Sequence, residues 1–352
     1  MTLRVGLIGL GEVAQLMHLP LLADDPRYEI AAVSDLSAEL TETIGRRYGA
    51  GLRSTDPNRL LEDPDLDAVF LLTPDQFHAP QLEAAIAAGK HVFVEKPACL
   101  TEGELRPLLG RPARGVVFVG YMRRYARPFL ALRDRMPAAE TIRHVRIRDL
   151  ICEAPFFTAQ TRPVLRPRDL PDPSPEARAL PERLVRAAIG AEASREEIRA
   201  YRVLTGLASH SLSAMRDLLG PPRGIVAACQ RAGGESVSVI YDYGHFVCSY
   251  EAVITDIPVF DAGIEILTND SRYALTTDTP YIRNLPTRLT ITGQGPNGAR
   301  SETIGPFYED PFRVELDAFH AAVTEGAPVR TGLEDSLHDL ELIAETARAM
   351  RA

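Results

Sequence analysis

The feature that most narrows what this chain can fold into is Gly9-Leu10-Gly11-Glu12-Val13-Ala14, set between the apolar run Leu3-Arg4-Val5-Gly6-Leu7-Ile8 and a stretch of helical period from Glu12 to Ala23. A G-x-G-x-x-A turn joining strand to helix has a physical logic. The first glycine permits a tight turn, the second lets backbone N–H groups approach a pyrophosphate, and the small Ala14 lets helix and strand pack closely. Alone the pattern is weak. It is strengthened by Asp35, which ends a second apolar run, Glu29-Ile30-Ala31-Ala32-Val33, where a carboxylate can accept hydrogen bonds from the ribose hydroxyls of a dinucleotide. The expected cofactor contacts are therefore Gly9, Leu10, Gly11, Glu12, Val13 and Asp35. A 2′-phosphate beside Asp35 would be repelled, so NAD is expected over NADP. Arg46 and Arg47 lie too far along the next helix to compensate.

From Leu3 to about Gly120 short apolar runs alternate with amphipathic segments. Ala68 to Leu72, His91 to Val94 and Val116 to Val119 read as further strands, and Ala38 to Tyr48 and Ala79 to Ala88 as helices. Strands apolar almost throughout need cover on both faces, which predicts a doubly wound parallel α/β sheet. This Rossmann domain is expected over residues 1–120, followed by an α/β domain over 121–352 with a large open, mostly antiparallel sheet. Arg143 to Ile151 reads as a strand, as do Val237 to Tyr241 and His245 to Tyr250 around an Asp242-Tyr243-Gly244 turn. A Pro-rich insertion lies near 152–200. Its stretch from Arg162 to Glu182 is expected to be an exposed loop, and Arg313 to Val323 and Leu333 to Met350 closing helices.

Composition excludes several classes. A chain of 352 residues suits two domains, and a net charge of -9 speaks against nucleic acid as partner, leaving a small molecule. Cys99, Cys152, Cys229 and Cys248 form no C-x-x-C pair, and His91, His144, His245, His320 and His338 share no ligand spacing, so no metal is expected. There is no signal-like start and no membrane-length apolar run, so a cytoplasmic protein is expected.

Further along stand Thr73-Pro74, His78, Glu95-Lys96-Pro97, Gly120-Tyr121-Met122-Arg123-Arg124-Tyr125 and Glu315-Leu316-Asp317-Ala318-Phe319. With Gly9-x-Gly11, this set resembles the glucose-fructose oxidoreductase, inositol dehydrogenase and rhizopine-catabolism (MocA) family. The resemblance spans nearly the whole chain except the Pro-rich insertion. It implies an NAD(P)-dependent oxidoreductase acting on a carbinol carbon of a sugar, cyclitol or related polyol, assembled as a homodimer or homotetramer, with nicotinamide between the domains.

On that resemblance Lys96 and His210 are the catalytic candidates. An ammonium at the carboxyl end of a parallel strand can stabilise a developing alkoxide, and an imidazole can take the hydroxyl proton. Thr73, Pro74, His78 and Glu95 join Lys96 as cofactor contacts, with the Lys96–Pro97 bond a candidate for cis. Tyr121, Arg123 and Tyr281 are expected substrate contacts, and His18 a packing residue. The chain departs from the family at Gly206, where an Asp typically stands one helical turn before the histidine on the same face. Two rivals follow: an NAD-using glycoside hydrolase of the same family, and a cofactor-binding regulatory protein that has lost catalysis.

Overall fold

The computed structural model describes residues 1–111, 113–152, 155–161 and 163–351; within the Pro-rich insertion, residues 153, 154 and 162 lie outside the described residues. The chain divides into two compact units. The first comprises Met1–Tyr121, Arg162–Ala188 and Glu315–Leu340, and the second comprises Met122–Thr161, Ile189–Val314 and Glu341–Ala352. Part of the insertion and one closing segment thus cluster with the N-terminal unit, although the sequence places everything after residue 120 in a second domain.

Strands β1 (Leu3–Ile8), β2 (Tyr28–Ser34), β3 (Leu52–Ser54), β4 (Ala68–Leu71), β5 (His91–Glu95) and β6 (Val117–Gly120) form the sheet of the first unit. All pair in parallel, in the order β3-β2-β1-β4-β5-β6. The chain reverses direction across the sheet at β1 and β4, and that switch point opens the crevice in which such sheets bind ligands. The run from Glu12 to Ala23 is helical, but its centre, Ala14–His18, widens into a π turn before Leu19–Ala23. Such widened turns concentrate at functional sites.

Cross-strand register explains much of the packing. Phe70, Phe93 and Phe118 are partners on β4, β5 and β6 and stack at centroid distances of 4.9 and 5.5 Å. Phe319, from the helix Pro311–Glu325, meets all three edge-on at 5.5 to 5.8 Å. The electron-rich face of one ring thus meets the positive edge of another, an arrangement favoured by the aromatic quadrupole. The fully buried His18 packs edge-on against Phe70 and Phe93 and hydrogen-bonds Glu95 at the end of β5, Nε2 to Oε1, at 2.7 Å. Burial pushes the Glu95 carboxyl up, but the hydrogen bond from His18 and the charges of His18 and Lys96 outweigh it and hold it below the usual carboxylate range.

The second unit carries β7 (Ile142–Cys152), β8 (Gly224–Arg231), β9 (Ser236–Asp242), β10 (Val247–Thr255), β11 (Phe260–Thr268), β12 (Ser271–Thr277), β13 (Thr287–Gly295) and β14 (Gly298–Phe307). Their order is β14-β13-β12-β11-β7-β10-β9-β8, antiparallel except for the central β7–β10 pair. One face of β9 and β10 is apolar and buried through Val237, Val239, Tyr241, Cys248 and Tyr250, as period-two patterning requires.

One expectation is corrected. The stretch 162–182 is not all loop, because Pro175–Ile189 is a helix. Ser174 caps it, its Oγ accepting the Ala177 N–H at 3.2 Å, and Pro175 sits in the first turn, where a missing N–H costs nothing. Among the described residues, no helix is long and apolar enough to cross a membrane, and no three His, Cys, Asp or Glu side chains gather as a metal site.

Two outcomes follow from this core. Phe319→Ala should lower unfolding stability by about 3–5 kcal/mol, whereas Phe319→Leu, which keeps most of the apolar volume and loses the ring contacts, should cost less than the alanine variant; denaturant unfolding followed by circular dichroism measures both. Because the folded Glu95 carboxyl is depressed, its stabilisation is present above its unfolded value near pH 4.3 and fades as pH falls through the folded value. Glu95→Gln should therefore cost about 1–3 kcal/mol at pH 7, and its difference from wild type should shrink progressively below about pH 4; a gap independent of pH would contradict the assignment.

Candidate dinucleotide-binding site

The carboxyl ends of β1, β2 and β4 border a cleft of about 600 Å³ in the first unit. Gly9 takes φ 95°, a conformation side chains resist. It also passes so near β4 that a Cβ would lie 2.8 Å from the Leu72 carbonyl carbon and from the Thr73 nitrogen. Only glycine fits there. At Gly11 a Cβ would meet nothing within 4 Å, so the second glycine faces open space, as a backbone cradle for a phosphate demands.

Asp35 fastens this turn. One carboxylate oxygen accepts the Leu10 N–H at 2.8 Å, and the other accepts the Ser37 N–H at 2.9 Å. Each retains a lone pair that a ribose hydroxyl can use. Of the expected cofactor contacts, Gly9, Gly11, Glu12, Asp35, Thr73 and Pro74 line the cleft together, and Leu10, Val13, His78, Glu95 and Lys96 do not. Leu10 is buried and contributes its backbone N–H to Asp35.

His78 is buried, with Nδ1 2.9 Å from the Pro97 carbonyl and Nε2 2.7 Å from the Thr73 carbonyl. It ties together the loops that follow β4 and β5. Burial pushes its pKa below the ordinary value, against the two carbonyls that favour the charged ring. Glu95 turns to His18, and its second oxygen accepts the Lys96 N–H at 3.2 Å. Lys96 is half-buried just past β5, and its bond to Pro97 is cis.

Sequence reasoning missed part of the wall. Thr55, Pro57, Phe77 and Gln81 line the cleft, and so does the segment Val164 to Pro167 with Leu170. Gln15 grips this segment: its Nε2 donates to the Leu165 carbonyl at 3.0 Å and its Oε1 accepts the Leu165 N–H at 2.8 Å. The only local signal was a buried glutamine in an otherwise apolar helix, and that does not say which backbone it will meet.

In the second unit, His210 is half-buried in the helix Ser209–Leu219, directly after a second π turn, Leu204–Ala208. Gly206 lies in that turn, exposed, with nothing within 4 Å of a Cβ. Arg123, expected to contact substrate, lies in a buried network. Its Nη1 lies 2.7 Å from Asp149 and 3.1 Å from Ser211 Oγ, while Tyr250 donates its hydroxyl to Asp149 at 3.0 Å. Burial, reinforced by the Asp149 charge, pushes the Tyr250 phenol up. Tyr121 is buried in the first unit, 3.5 Å from Ser336 Oγ. Tyr281 is half-buried in the irregular segment after β12, its N–H 3.4 Å from Thr279 Oγ1.

Comparison with known proteins agrees with this geometry. Residues 3–128 match the family model described as an oxidoreductase family with an NAD-binding Rossmann fold. Over 139 residues, 39% of this chain and 41% of the relative, the sequence is 32% identical to the scyllo-inositol 2-dehydrogenase (NAD(+)) of Bacillus subtilis. It is 35% identical over 137 residues, 38% of this chain and 41% of the relative, to the inositol 2-dehydrogenase of Paracoccus denitrificans. The chain thus spans about two fifths of the length of these curated relatives. The fold extends further: the UDP-N-acetylglucosamine 3-dehydrogenase of Acidithiobacillus ferrooxidans superposes with a TM-score of 0.74 over 100% of both chains at 19% identity. Residues 3–128, with their glycine turn, Asp35 and parallel sheet, are thus similar to the NAD-binding Rossmann domain of the glucose-fructose oxidoreductase, inositol dehydrogenase and MocA oxidoreductases.

Proposed function

We propose that the protein is an NAD(P)-dependent dehydrogenase or reductase that moves a hydride between nicotinamide and a carbinol or ketone carbon of a sugar, cyclitol or related polyol. The observation that carries this reading is the glycine turn opening onto a cleft of about 600 Å³ with Asp35 at its rim. Bound there, the dinucleotide would supply the hydride acceptor or donor. Gly9, Gly11, Asp35, Thr73 and Pro74 would hold its adenosine and phosphates, with Asp35 accepting from the ribose and favouring NAD.

The chemistry falls to two side chains. Lys96 would polarise the reacting hydroxyl oxygen and stabilise its developing negative charge, and His210 would remove or return its proton. Glu95, anchored by His18, would keep the backbone at Lys96 in place. Support for the substrate class comes from the inositol 2-dehydrogenases among the relatives and from the sugar-nucleotide dehydrogenase that shares the fold. A homodimer or homotetramer would form on the open face of the eight-stranded sheet, where Ile240 and Val226 are exposed.

Gly206 favours a second reading, a dinucleotide-binding protein without turnover. A glycine at this position brings no side-chain carboxylate of its own one turn before His210, where the family typically carries an Asp.

An assay of the purified protein against inositols, aldoses, keto sugars, glycosides and nucleotide-linked sugars, with NAD(H) and NADP(H), separates these readings. Turnover is expected on a polyol. Lys96→Ala should lower kcat by about 10²–10³-fold and His210→Ala by about 10²–10⁴-fold, with dinucleotide affinity changed less than about threefold. A Lys96→Ala protein working at the wild-type rate would remove that residue from the chemistry. Tight NADH binding with no turnover on any substrate would favour the regulatory reading, and release of free sugar without net NADH would identify a glycoside hydrolase.

A further inference from the structure

The helix Ala38–Tyr48 begins directly after Asp35 and is capped by Ser37, whose Oγ accepts the Leu40 N–H at 2.9 Å. Its N-terminus carries partial positive charge and free N–H donors beside the rim of the dinucleotide cleft, a natural place for an anion. In this chain the place is taken. Asp169, from the segment that walls the cleft, accepts the Ser37 hydroxyl through Oδ1 and the Glu39 N–H through Oδ2, the latter at 2.9 Å. The neighbouring Arg168 N–H donates to the Glu39 carboxylate at 3.0 Å, so the segment is stitched to the helix start at two points. Asp35 meets the same Ser37 through its backbone N–H. Two carboxylates thus converge on one residue at the adenosine end.

Resting on the dinucleotide reading above, we infer that Asp169 is a second determinant of cofactor choice: its carboxylate fills the anion position that a 2′-phosphate would need, so the insertion itself enforces NAD over NADP. A dinucleotide whose ribose hydroxyls bonded Asp35 would bring its 2′-oxygen close to that carboxylate, which itself accepts the Ser37 N–H. A phosphate there would have to evict Asp169 from the Ser37 hydroxyl and the Glu39 N–H, then sit beside Asp35. A ribose hydroxyl asks for neither. Two arginines stand close to Asp169 in the same segment. Arg166 is engaged by Glu12 at 3.2 Å, and Arg168 contributes its backbone N–H. The Asp169 hydrogen bonds also hold its carboxyl below the usual range, so the obstacle stays charged at neutral pH.

Titration of the full-length protein with NADH and NADPH, read by the fluorescence of the nicotinamide itself, tests this; the chain contains no tryptophan to interfere. Wild type should bind NADH at least about tenfold more tightly than NADPH. Asp169→Asn, which keeps the shape and removes the charge, and Asp169→Ala should each tighten NADPH by about tenfold while NADH changes less than about threefold. A loss of strap packing alone would weaken both dinucleotides together, leave their ratio unchanged and overturn the inference. Wild type that binds NADH selectively, with Asp169 variants equally selective, defeats the role of Asp169 but leaves the dinucleotide site standing. Wild type that binds neither dinucleotide defeats both.

Discussion

The first unit depends on one close approach. β1 must leave its sheet at Gly9 so near the Leu72–Thr73 peptide that a side chain atom would stand 2.8 Å from backbone, and at a φ of 95°. That passage aims the following backbone toward the crevice at the β1–β4 switch point and brings the Leu10 N–H within 2.8 Å of Asp35. One carboxylate then serves two purposes. It braces the turn from β2 and presents its remaining lone pairs at the rim of the cleft. Replacing Gly9 would push β1 and β4 apart, and the cradle at Gly11 and the brace at Asp35 would be lost with it.

Behind the turn, the fold converts register into rigidity. Phe70, Phe93 and Phe118 each look like one more apolar residue in its strand, yet parallel pairing in equal register places them in one row under Phe319. His18 packs against the same row, and its Nε2 meets the Glu95 carboxylate. A charged group is tolerated at the end of β5 because an imidazole, itself held by aromatic rings, compensates it. The carboxyl end of β5, where Lys96 begins, is therefore fixed from within the core.

What the sequence disclosed follows the same division between local and distant causes. β1 and the helix Ala38–Tyr48 were legible to the residue because apolar pattern and capping are local, Ser37 standing before the helix and Gly49 after it. Gly9, Gly11 and Asp35 were legible because turn, helix and strand end are fixed by spacing alone. β3 escaped notice, being three residues at a sheet edge with little apolar content. Pro175–Ile189 escaped because prolines outweighed the Ser174-Pro175-Glu176 start signal. The Arg123 ion pair was not foreseen because nothing in its neighbours announces Asp149, 26 residues on, as a buried partner. Asp169 could not be found at all, since its role arises from contact with Ser37 across 132 positions.

The loops after β4 and β5 show why such contacts matter for chemistry. Thr73-Pro74 and Lys96-Pro97 belong to separate strands, and neither proline can offer an N–H to hold its loop. A single ring supplies the link, His78 reaching the Thr73 and Pro97 carbonyls from its two nitrogens. A charged imidazole would donate to both, a neutral one to a single carbonyl, and burial favours the neutral ring. The link therefore rests on one donated hydrogen bond plus close packing rather than on two equal bonds. A buried residue thereby sets the distance between a loop that lines the dinucleotide cleft and the loop that carries Lys96. The proposed chemistry requires that distance to be held, so His78 belongs to the framework of the site.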